Sequence, residues 1–451
     1  MLSLDMAKKL LLLLALIALC SGCTTKFRGP VPSAAQLEWQ QMEYNMFVHF
    51  GPNTFSGLEW GQGTEPEDLF APTALDCRQW AATAKVAGMK GIIITAKHHD
   101  GFCLWPNPES SHTVAQSSWR DGKGDVLAEL SAACREYGLK FGVYISPWDR
   151  FDPAYGTPEY NEKYVRTLQD VHGGRYGEIF EQWFDGACGE GPAGKKQVYD
   201  WPLFNSTVLG LSPSAVIFSD VGPGCRWVGN ERGSACETNW STLDTEGFTP
   251  GAGAPPRDTL QQGNVHGAHW VPAETDVSIR PGWFWRENEN ERVKSVDELM
   301  KIWVESVGRN SLLLLNVPPD TRGRIHDIDS LRLMEFRAAR EAAFGCDLAS
   351  GAKVRKRHGG RVWEITLPEH RTFNYVQLQE DICHGQRISG FRVEIQDFDV
   401  AICNGGWLPV ASGTTIGYKR IIPVHPCTTR KLRVVITSSH AKPLLKGISL
   451  F

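Results

Sequence analysis

Two carboxylate-bearing segments are the part of this sequence most able to do chemistry. Asp185 follows a short apolar run at 179–184 and is itself followed by glycine. Such a run predicts a buried strand, so packing does not explain a carboxylate where the strand ends. Glu231 lies in a second, glycine-bearing segment at 226–231. Two carboxylates on separate loops of one fold are the minimum requirement for hydrolysis of a glycosidic bond.

Further polar residues recur at the ends of other predicted strands: His49, Lys97, His98, His99, Asp100, Tyr144, Ser146 and Asp220. Any one of them could be a structural residue with its hydrogen bonds satisfied. Their recurrence at the same end of successive strands indicates a ligand site, because buried polar groups without partners are costly. The carboxyl ends of the strands are where (β/α)8 barrels place their active sites.

The elements that must position these residues alternate between strand-like and helix-like patterns from about 40 to 320. Apolar strand-like runs occupy 46–50, 91–95, 139–145, 179–184, 215–218 and 311–317. Helical patterns separate most of them, ended by Gly88 and Gly138 or begun by a capping box of Ser295 and Glu298. This alternation predicts a (β/α)8-like TIM barrel. Because 221–285 is irregular and rich in Gly and Pro, we expect the barrel to be distorted.

The pattern changes near residue 346. Short strand-like runs at 361–367, 374–378, 390–394 and 431–437, separated by turn residues, predict an all-β sandwich. We therefore divide the chain into a catalytic barrel at 30–345 and a C-terminal β-sandwich at 346–451. The sandwich is expected to brace the barrel, and sugar binding by it is the alternative.

Residues 1–23 are typical of a bacterial export signal. Lys8 and Lys9 precede an apolar run at 10–19 that is too short to span a membrane. The small residues before Cys23 resemble a lipoprotein cleavage box, so we expect export to the periplasm or outer membrane with a lipid anchor on Cys23. Simple cleavage and secretion is the alternative.

The net charge, the tryptophan content and the cysteine spacing limit the classes of function that the protein can have. A net charge of -4 argues against nucleic-acid binding, which needs a concentrated basic face. The 16 tryptophans fill a core or stack on sugar rings. Beyond the signal the cysteines form no C-x-x-C pair, although Cys225 and Cys236 are close enough in sequence to link the loop that carries Glu231.

The chain from about 35 to 345 resembles glycoside hydrolase family 29, the retaining α-L-fucosidases. The matching motifs are, in order, Phe47-Val48-His49-Phe50-Gly51, Lys97-His98-His99-Asp100-Gly101-Phe102, Trp183-Phe184-Asp185-Gly186, Gly282-Trp283-Phe284-Trp285 and Leu314-Leu315-Asn316-Val317-Pro318-Pro319. The resemblance implies that Asp185 is the nucleophile. It also implies a fucose pocket lined by His49, Glu59, Trp60, His98, His99, Tyr144, Arg226 and Trp285.

The segment at 226–231 resembles the subgroup that removes α-1,3- and α-1,4-linked fucose from branched glycans, which implies that Glu231 is the general acid/base. Glu274 and Glu237 are the alternatives, and Glu274 is expected near the end of another barrel strand. For this role the pKa of Glu231 must be raised, which an apolar neighbour such as Trp227 could do.

The double displacement needs no cofactor and no metal. His98, His99 and Asp100 could suggest a metal site, but adjacent histidines on a strand are expected to point to opposite faces. The sequence thus favours a retaining exo-α-L-fucosidase that acts on fucosylated oligosaccharides or glycoconjugates and meets the membrane only through its anchor. The alternative is a non-catalytic lipoprotein that binds fucosylated glycans.

Overall fold

The structure, a computed structural model, describes residues 29–396 and 406–451. The predicted export signal at 1–23 lies outside these residues. Within the described ranges, no helix has the length and apolar character needed to cross a membrane.

Eight parallel strands close into a barrel. The barrel strands are β1 (Tyr44–Val48), β2 (Gly91–Lys97), β3 (Lys140–Ile145), β4 (Ile179–Trp183), β5 (Val216–Ser219), β6 (Cys225–Trp227), β9 (Ala273–Ser278) and β10 (Ser311–Asn316), while β7 (Thr242–Leu243) and β8 (His269–Trp270) form a separate hairpin. Around the barrel the strands neighbour one another in the order β1-β10-β9-β6-β5-β4-β3-β2. The predicted barrel is confirmed.

Local signals set the helix ends where the sequence predicted them. The helices are α1 (Ala34–Met42), α2 (Pro52–Ser56), α3 (Cys77–Ala87), α4 (Val126–Tyr137), α5 (Pro158–His172), α6 (Trp201–Leu211), α7 (Arg257–Gln262), α8 (Val296–Glu305) and α9 (Asp327–Phe344). Gly88 and Gly138 end α3 and α4 in the left-handed conformation, which glycine adopts without a steric penalty. Ser295 and Glu298 form the expected capping box of α8.

The barrel is distorted between β5 and β9, as expected. No described helix separates β5 from β6, and only the short α7 and the β7–β8 hairpin lie between β6 and β9. The sequence patterns missed β6, and they suggested a strand ending near Glu274 where β9 in fact begins. The inward-facing positions of β9 explain this misplacement, because Glu274, Asp276 and Ser278 give that strand no apolar alternation.

The C-terminal strands are β11 (Lys353–Arg357), β12 (Val362–Glu380), β13 (Ile388–Gln396), β14 (Trp407–Gly413), β15 (Arg420–Ser439) and β16 (Leu445–Leu450). Each half of the long strand β12 pairs with a different half of β15, and β11 and β16 pair with opposite halves of β12. Side chains from both halves share one core, which includes Trp363, Ile365, Val376 and Leu378. The predicted all-β domain is confirmed.

This β domain contacts the end of the barrel opposite to the strands' carboxyl ends. Asn310, directly before β10, accepts a hydrogen bond of 2.7 Å from the Tyr418 backbone N–H. The backbone N–H of Asn239 donates to Thr415 Oγ1 at 2.9 Å. These contacts fit a bracing role for the β domain.

The suggested link between Cys225 and Cys236 is wrong, since both are free thiols. Cys225 is buried inside the barrel with its Sγ 3.9 Å from Glu181 Oε1. Cys236 instead lies 3.4 Å from Gln261 Oε1. Within the part of the chain that the structure describes, the loop carrying Glu231 is therefore held without a disulfide.

Candidate active site

A cavity of about 210 Å³ opens at the carboxyl ends of the barrel strands. It is lined by Phe47, His49, Glu59, Trp60, His98, His99, Tyr144, Trp183, Asp185, Ala187, Glu231, Asp276 and Trp283. No lysine or arginine of the described chain lines it. Eight of the ten residues predicted from the sequence meet here, which makes this cavity the candidate active site.

Asp185 is fixed just beyond the end of β4. Its Oδ1 accepts a hydrogen bond of 2.7 Å from the Ala187 backbone N–H, and its Oδ2 accepts one of 3.1 Å from the Tyr144 hydroxyl. These two hydrogen bonds fix the orientation of the carboxylate. About a quarter of the side chain stays exposed in the cavity, so the carboxylate can reach a ligand.

His99 is oriented by Ser146. The Ser146 hydroxyl donates to the Trp148 carbonyl at 2.9 Å, so it accepts from His99 Nδ1 at 2.8 Å. Burial lowers the pKa of His99 to about 4, although the negative Asp185 acts to raise it. The ring is therefore neutral near pH 7, and Nε2 presents a lone pair 3.7 Å from Asp185 Oδ2.

His49 is oriented in the same way by Asn316, the last residue of β10. Asn316 Nδ2 donates to Ser278 Oγ at 2.9 Å and to the Trp283 carbonyl at 2.8 Å. Its Oδ1 is thus left to accept from His49 Nδ1 at 2.9 Å. Burial lowers the pKa of His49 to about 3, so Nε2 of the neutral ring is a hydrogen-bond acceptor.

His98 and His99 lie side by side, with ring centroids 4.2 Å apart. The expectation that adjacent histidines point to opposite faces is wrong here, because both follow the end of β2, where the backbone turns. Burial lowers the pKa of His98 well below its usual value, and its ring stacks on Tyr144 with a centroid distance of 5.7 Å. Asp100 is turned away, accepting from the Phe102 backbone N–H at 2.7 Å.

Glu59, Trp60 and Glu231 lie around the mouth of the cavity. Glu59 pairs with Arg286 and accepts from the backbone N–H of Trp283. Trp60 is 53% exposed beside the opening, and its ring also contacts His99 at a centroid distance of 5.7 Å. Exposed aromatic faces of this kind suit the apolar face of a sugar.

Glu231 is exposed to solvent on its outer side and faces the cavity on the other. Partial desolvation raises the pKa of Glu231, whereas a hydrogen bond with the Trp283 side chain lowers it. The negative charges of Asp185 and Glu59 raise this pKa further. The net direction is upward, which is the direction needed by a carboxylic acid that must hold a proton near neutral pH.

Two predicted pocket residues lie outside the cavity. Arg226 is fully buried in β6, where it donates to the carbonyls of Leu260 and Trp240 at 2.8 and 3.0 Å, so its guanidinium holds the irregular region together. Trp285 packs on His326 at a centroid distance of 5.9 Å. Trp283, two residues earlier, lines the cavity instead.

The two alternative acid/base residues also lie elsewhere. Glu237 is exposed, with Oε2 3.7 Å from Arg420 of the β domain. Glu274 is the second residue of β9, near the start of that strand, and accepts from Trp183 Nε1 at 2.8 Å. Neither glutamate lines the cavity.

Glu274 belongs to a buried group with Glu181 and Cys225, whose ligand-type atoms lie within 4.8 Å of one another. In the described chain this is the group with metal-ligand spacing. Trp39 Nε1 donates to Glu181 at 2.7 Å. Burial raises the pKa of both carboxyls, and each contacts the other. Two buried carboxyls this close together disfavour double ionisation, so the pair favours a shared proton.

Sequence reasoning missed Asp276, which is 3% exposed and lines the cavity from β9. It also missed the aromatic floor, where Phe47 and Trp183 lie 5.2 Å apart and Trp183 stacks on Phe218 at 3.8 Å. The period-two spacing of Glu274, Asp276 and Ser278 was the available signal. The cavity thus combines two accessible carboxylates, neutral histidine acceptors and aromatic walls, which suits a single pyranose ring.

This fold and site define a carbohydrate-active (β/α)8 enzyme. The family model described as Alpha-L-fucosidase matches residues 31–338. The chain belongs to the α-L-fucosidase family, glycoside hydrolase family 29.

Two curated relatives show how far the likeness extends. Alpha-L-fucosidase 1 of Arabidopsis thaliana is 40% identical over 453 residues, covering 94% of this chain and 87% of that protein. Plasma alpha-L-fucosidase of Homo sapiens is 26% identical over 314 residues, covering 66% of this chain and 60% of that protein.

Solved structures agree with these relatives. A glycoside hydrolase 29 family member from an unknown rumen bacterium superposes with a TM-score of 0.86 at 42% identity, covering 94% of this chain and 77% of that one. A Ruminococcus gnavus GH29 fucosidase in complex with fucose gives a TM-score of 0.82 at 30% identity, covering 94% of this chain and 95% of that one.

Proposed function

We propose that this α-L-fucosidase removes terminal α-1,3- and α-1,4-linked L-fucose from glycans by a retaining double displacement. The observation that carries the mechanism is that Asp185 and Glu231 line one cavity while the rival glutamates do not. The carboxylate pair also argues against a purely glycan-binding role. The linkage preference rests on the resemblance of the segment at 226–231.

In the first step Oδ2 or Oδ1 of Asp185 attacks the anomeric carbon, and the bond from that carbon to the glycosidic oxygen breaks. Glu231 donates its proton to the departing oxygen, which leaves a fucosyl ester on Asp185 and an ionised Glu231. In the second step Glu231 takes a proton from water as the water oxygen attacks the same carbon, and the ester bond to Asp185 breaks.

Neutral His49 and His99 suit the sugar because their free Nε2 atoms accept hydrogen bonds from hydroxyl groups without adding charge beside Asp185. Trp60, at the exposed rim, is placed to contact the glycan beyond the cleaved bond. The site would therefore bind one fucosyl residue inside the cavity and contact the remaining glycan outside it.

The test is a panel of fucosylated oligosaccharides that differ only in linkage, followed by proton NMR of the first product. We expect α-L-fucose as the first anomer and faster release from α-1,3 and α-1,4 linkages than from α-1,2. A first product of β configuration would contradict the retaining mechanism, and faster α-1,2 release would contradict the linkage assignment.

The nucleophile is tested with Asp185→Asn. An amide cannot form the fucosyl ester, so turnover should fall to a trace while the fold is kept. Azide should restore turnover only by replacing the nucleophile, which gives a fucosyl azide of inverted configuration. Activity near that of the wild type would remove Asp185 from the mechanism.

We also propose that the chain is exported and lipid-anchored at Cys23. The support is the order of charged, apolar and small residues in 1–23. In a Gram-negative host, labelled palmitate should appear on the wild type and be lost in Cys23→Ser. Export and cleavage without label would favour simple secretion. Because a lipid only anchors, a protein lacking 1–22 and carrying Cys23→Ser should keep its kinetic constants.

A further inference from the structure

Strand β9 turns an unusual set of side chains toward the barrel interior. Barrel interiors are normally filled with branched apolar residues, whereas β9 presents Glu274, Asp276 and Ser278 in succession. Glu274 contacts Glu181, and the Ser278 hydroxyl donates to the Gly282 carbonyl at 2.7 Å. Asp276 differs from both in lining the cavity, and its Oδ1 is buried with no hydrogen-bond partner in the described chain.

The charged groups around Asp276 are acids, and their negative charges disfavour an ionised Asp276. Asp185 and Glu231 line the same cavity, and Glu274 lies two positions earlier on β9. The cavity lining includes no lysine or arginine among the described residues. The fourth acid of the lining, Glu59, lies at the rim and is already paired with Arg286.

The three histidines of the lining supply no positive charge near pH 7, since burial lowers the pKa of each of them. An ionised Asp276 would thus be a buried charge without a cation in the described cavity lining, and the hydrogen bond from its own backbone N–H does not offset its burial. Burial and the neighbouring Glu231 raise the pKa of Asp276 well above its usual value. Geometry and electrostatics both favour the neutral acid.

A neutral acid would add a hydrogen-bond donor to a cavity whose described lining supplies mainly acceptors. His49 and His99 point their N–H groups away, at Asn316 and Ser146, and the Tyr144 hydroxyl donates to Asp185. These side chains therefore offer acceptors to a ligand. Each sugar hydroxyl can donate to an acceptor, but its own oxygen also requires a donor. A protonated carboxyl in the cavity wall is such a donor.

We propose that Asp276 is protonated at neutral pH and binds the fucosyl residue by donating a hydrogen bond to one of its hydroxyl oxygens. This rests on the proposed function in one respect only, the identity of the sugar. Because the donor is neutral, it adds no negative charge beside the nucleophile. Asp276 is thereby a substrate-binding residue. Its role is distinct from that of Asp185, which forms the bond to the sugar, and from that of Glu231, which transfers the proton.

The binding test compares Asp276→Asn with Asp276→Ala, using L-fucose in calorimetry at pH 7. Asparagine is neutral, similar in shape and able to donate, so L-fucose should bind within about threefold of the wild type. Alanine removes the donor and leaves the hydroxyl oxygen unsatisfied, which should weaken binding about 10-fold to 100-fold. Equal weakening in both variants, or none in Asp276→Ala, would overturn the proposal.

A second measurement needs no substrate. The infrared difference spectrum of wild type minus Asp276→Asn at pH 7 should contain the carbonyl band of a protonated carboxyl, while a carboxylate band in its place would overturn the proposal. Failure of Asp276→Asn to fold would overturn it too, because a neutral isostere should suit a site made for a neutral acid. A wild type that cleaves no fucoside yet shows the protonated band would contradict the proposed function alone.

Discussion

The hydroxyl of Tyr144 donates a hydrogen bond of 3.1 Å to Oδ2 of Asp185, the same oxygen that lies 3.7 Å from Nε2 of His99. Tyr144 is 1% exposed and is in contact with the aromatic floor of the cavity, 5.2 Å from Trp183. The nucleophile proposed here is therefore oriented by a residue that is itself held by packing.

Tyr144→Phe removes this hydrogen bond and keeps the ring. A hydrogen bond to a charged acceptor contributes about 1.5–3 kcal/mol, so kcat/KM should fall about 10-fold to 150-fold. The matched control is Tyr164→Phe, which deletes a buried hydroxyl that donates to the Ile145 carbonyl at 2.6 Å outside the cavity. It should lower the melting temperature and leave kcat/KM nearly unchanged. Equal losses of kcat/KM in both would show that the effect is structural.

Trp283→Phe should move the alkaline limb of the pH profile of kcat/KM to higher pH. The Trp283 side chain hydrogen-bonds Glu231 and lowers its pKa, so removing that bond raises the pKa. A general acid that keeps its proton to higher pH keeps the enzyme active to higher pH. Trp285→Phe is the control, since Trp285 lies outside the cavity and should cause no shift. A shift toward lower pH in Trp283→Phe would contradict the assignment of Glu231.

The carboxyl pair of Glu181 and Glu274 should make the barrel less stable at high pH. Burial raises both folded-state pKa values above about 4.3, the value for glutamate in an unfolded chain, and the charge of Glu181 raises that of Glu274 further. Their contribution to stability is complete below that value and is lost as the pH rises through the folded-state values. Where a proton is held only in the folded state, the loss approaches about 1.4 kcal/mol per pH unit.

Glu274→Gln replaces the shared proton with a permanent N–H donor, so its free energy of unfolding should fall less steeply with pH than that of the wild type. Urea unfolding from pH 5 to pH 9 measures this slope. Glu178→Gln, at an exposed position just before β4, should keep the wild-type slope. Parallel slopes for Glu274→Gln and the wild type would show that the pair does not share a proton.

The sequence predicted the ends of helices, which local signals determine. It did not predict which side chains of less regular segments face the cavity. The ends of α3 and α8 follow from glycine and capping-box signals that act within a few residues. The sequence GWFW did not reveal which tryptophan faces the cavity, because the chain there is irregular and has no fixed period. Asp276 was missed as a lining residue because the inward-facing residues of its strand are polar. Such a strand lacks the alternation of apolar and polar residues by which strands are predicted.

The last prediction distinguishes Glu231 from Glu274. A general acid matters most when the leaving group is a sugar hydroxyl, since that oxygen needs a proton in the transition state. Glu231→Ala should therefore lose about 10²–10⁴-fold in kcat/KM on a branched α-1,3- or α-1,4-fucosylated trisaccharide. The first step on an aryl fucoside with an activated leaving group should be affected much less, so the fucosyl ester on Asp185 should accumulate.

Azide should then speed breakdown of that ester in Glu231→Ala and give a fucosyl azide of retained configuration, because Asp185 still reacts first. Glu274→Gln should show neither the selective loss nor the azide product, because Glu274 lies below Trp183 and does not line the cavity. The substrate panel and mass spectrometry of the azide product measure both effects. The reverse pattern, with azide product from Glu274→Gln alone, would transfer the acid/base role to Glu274 and remove the support for α-1,3/1,4 specificity that rests on the segment at 226–231.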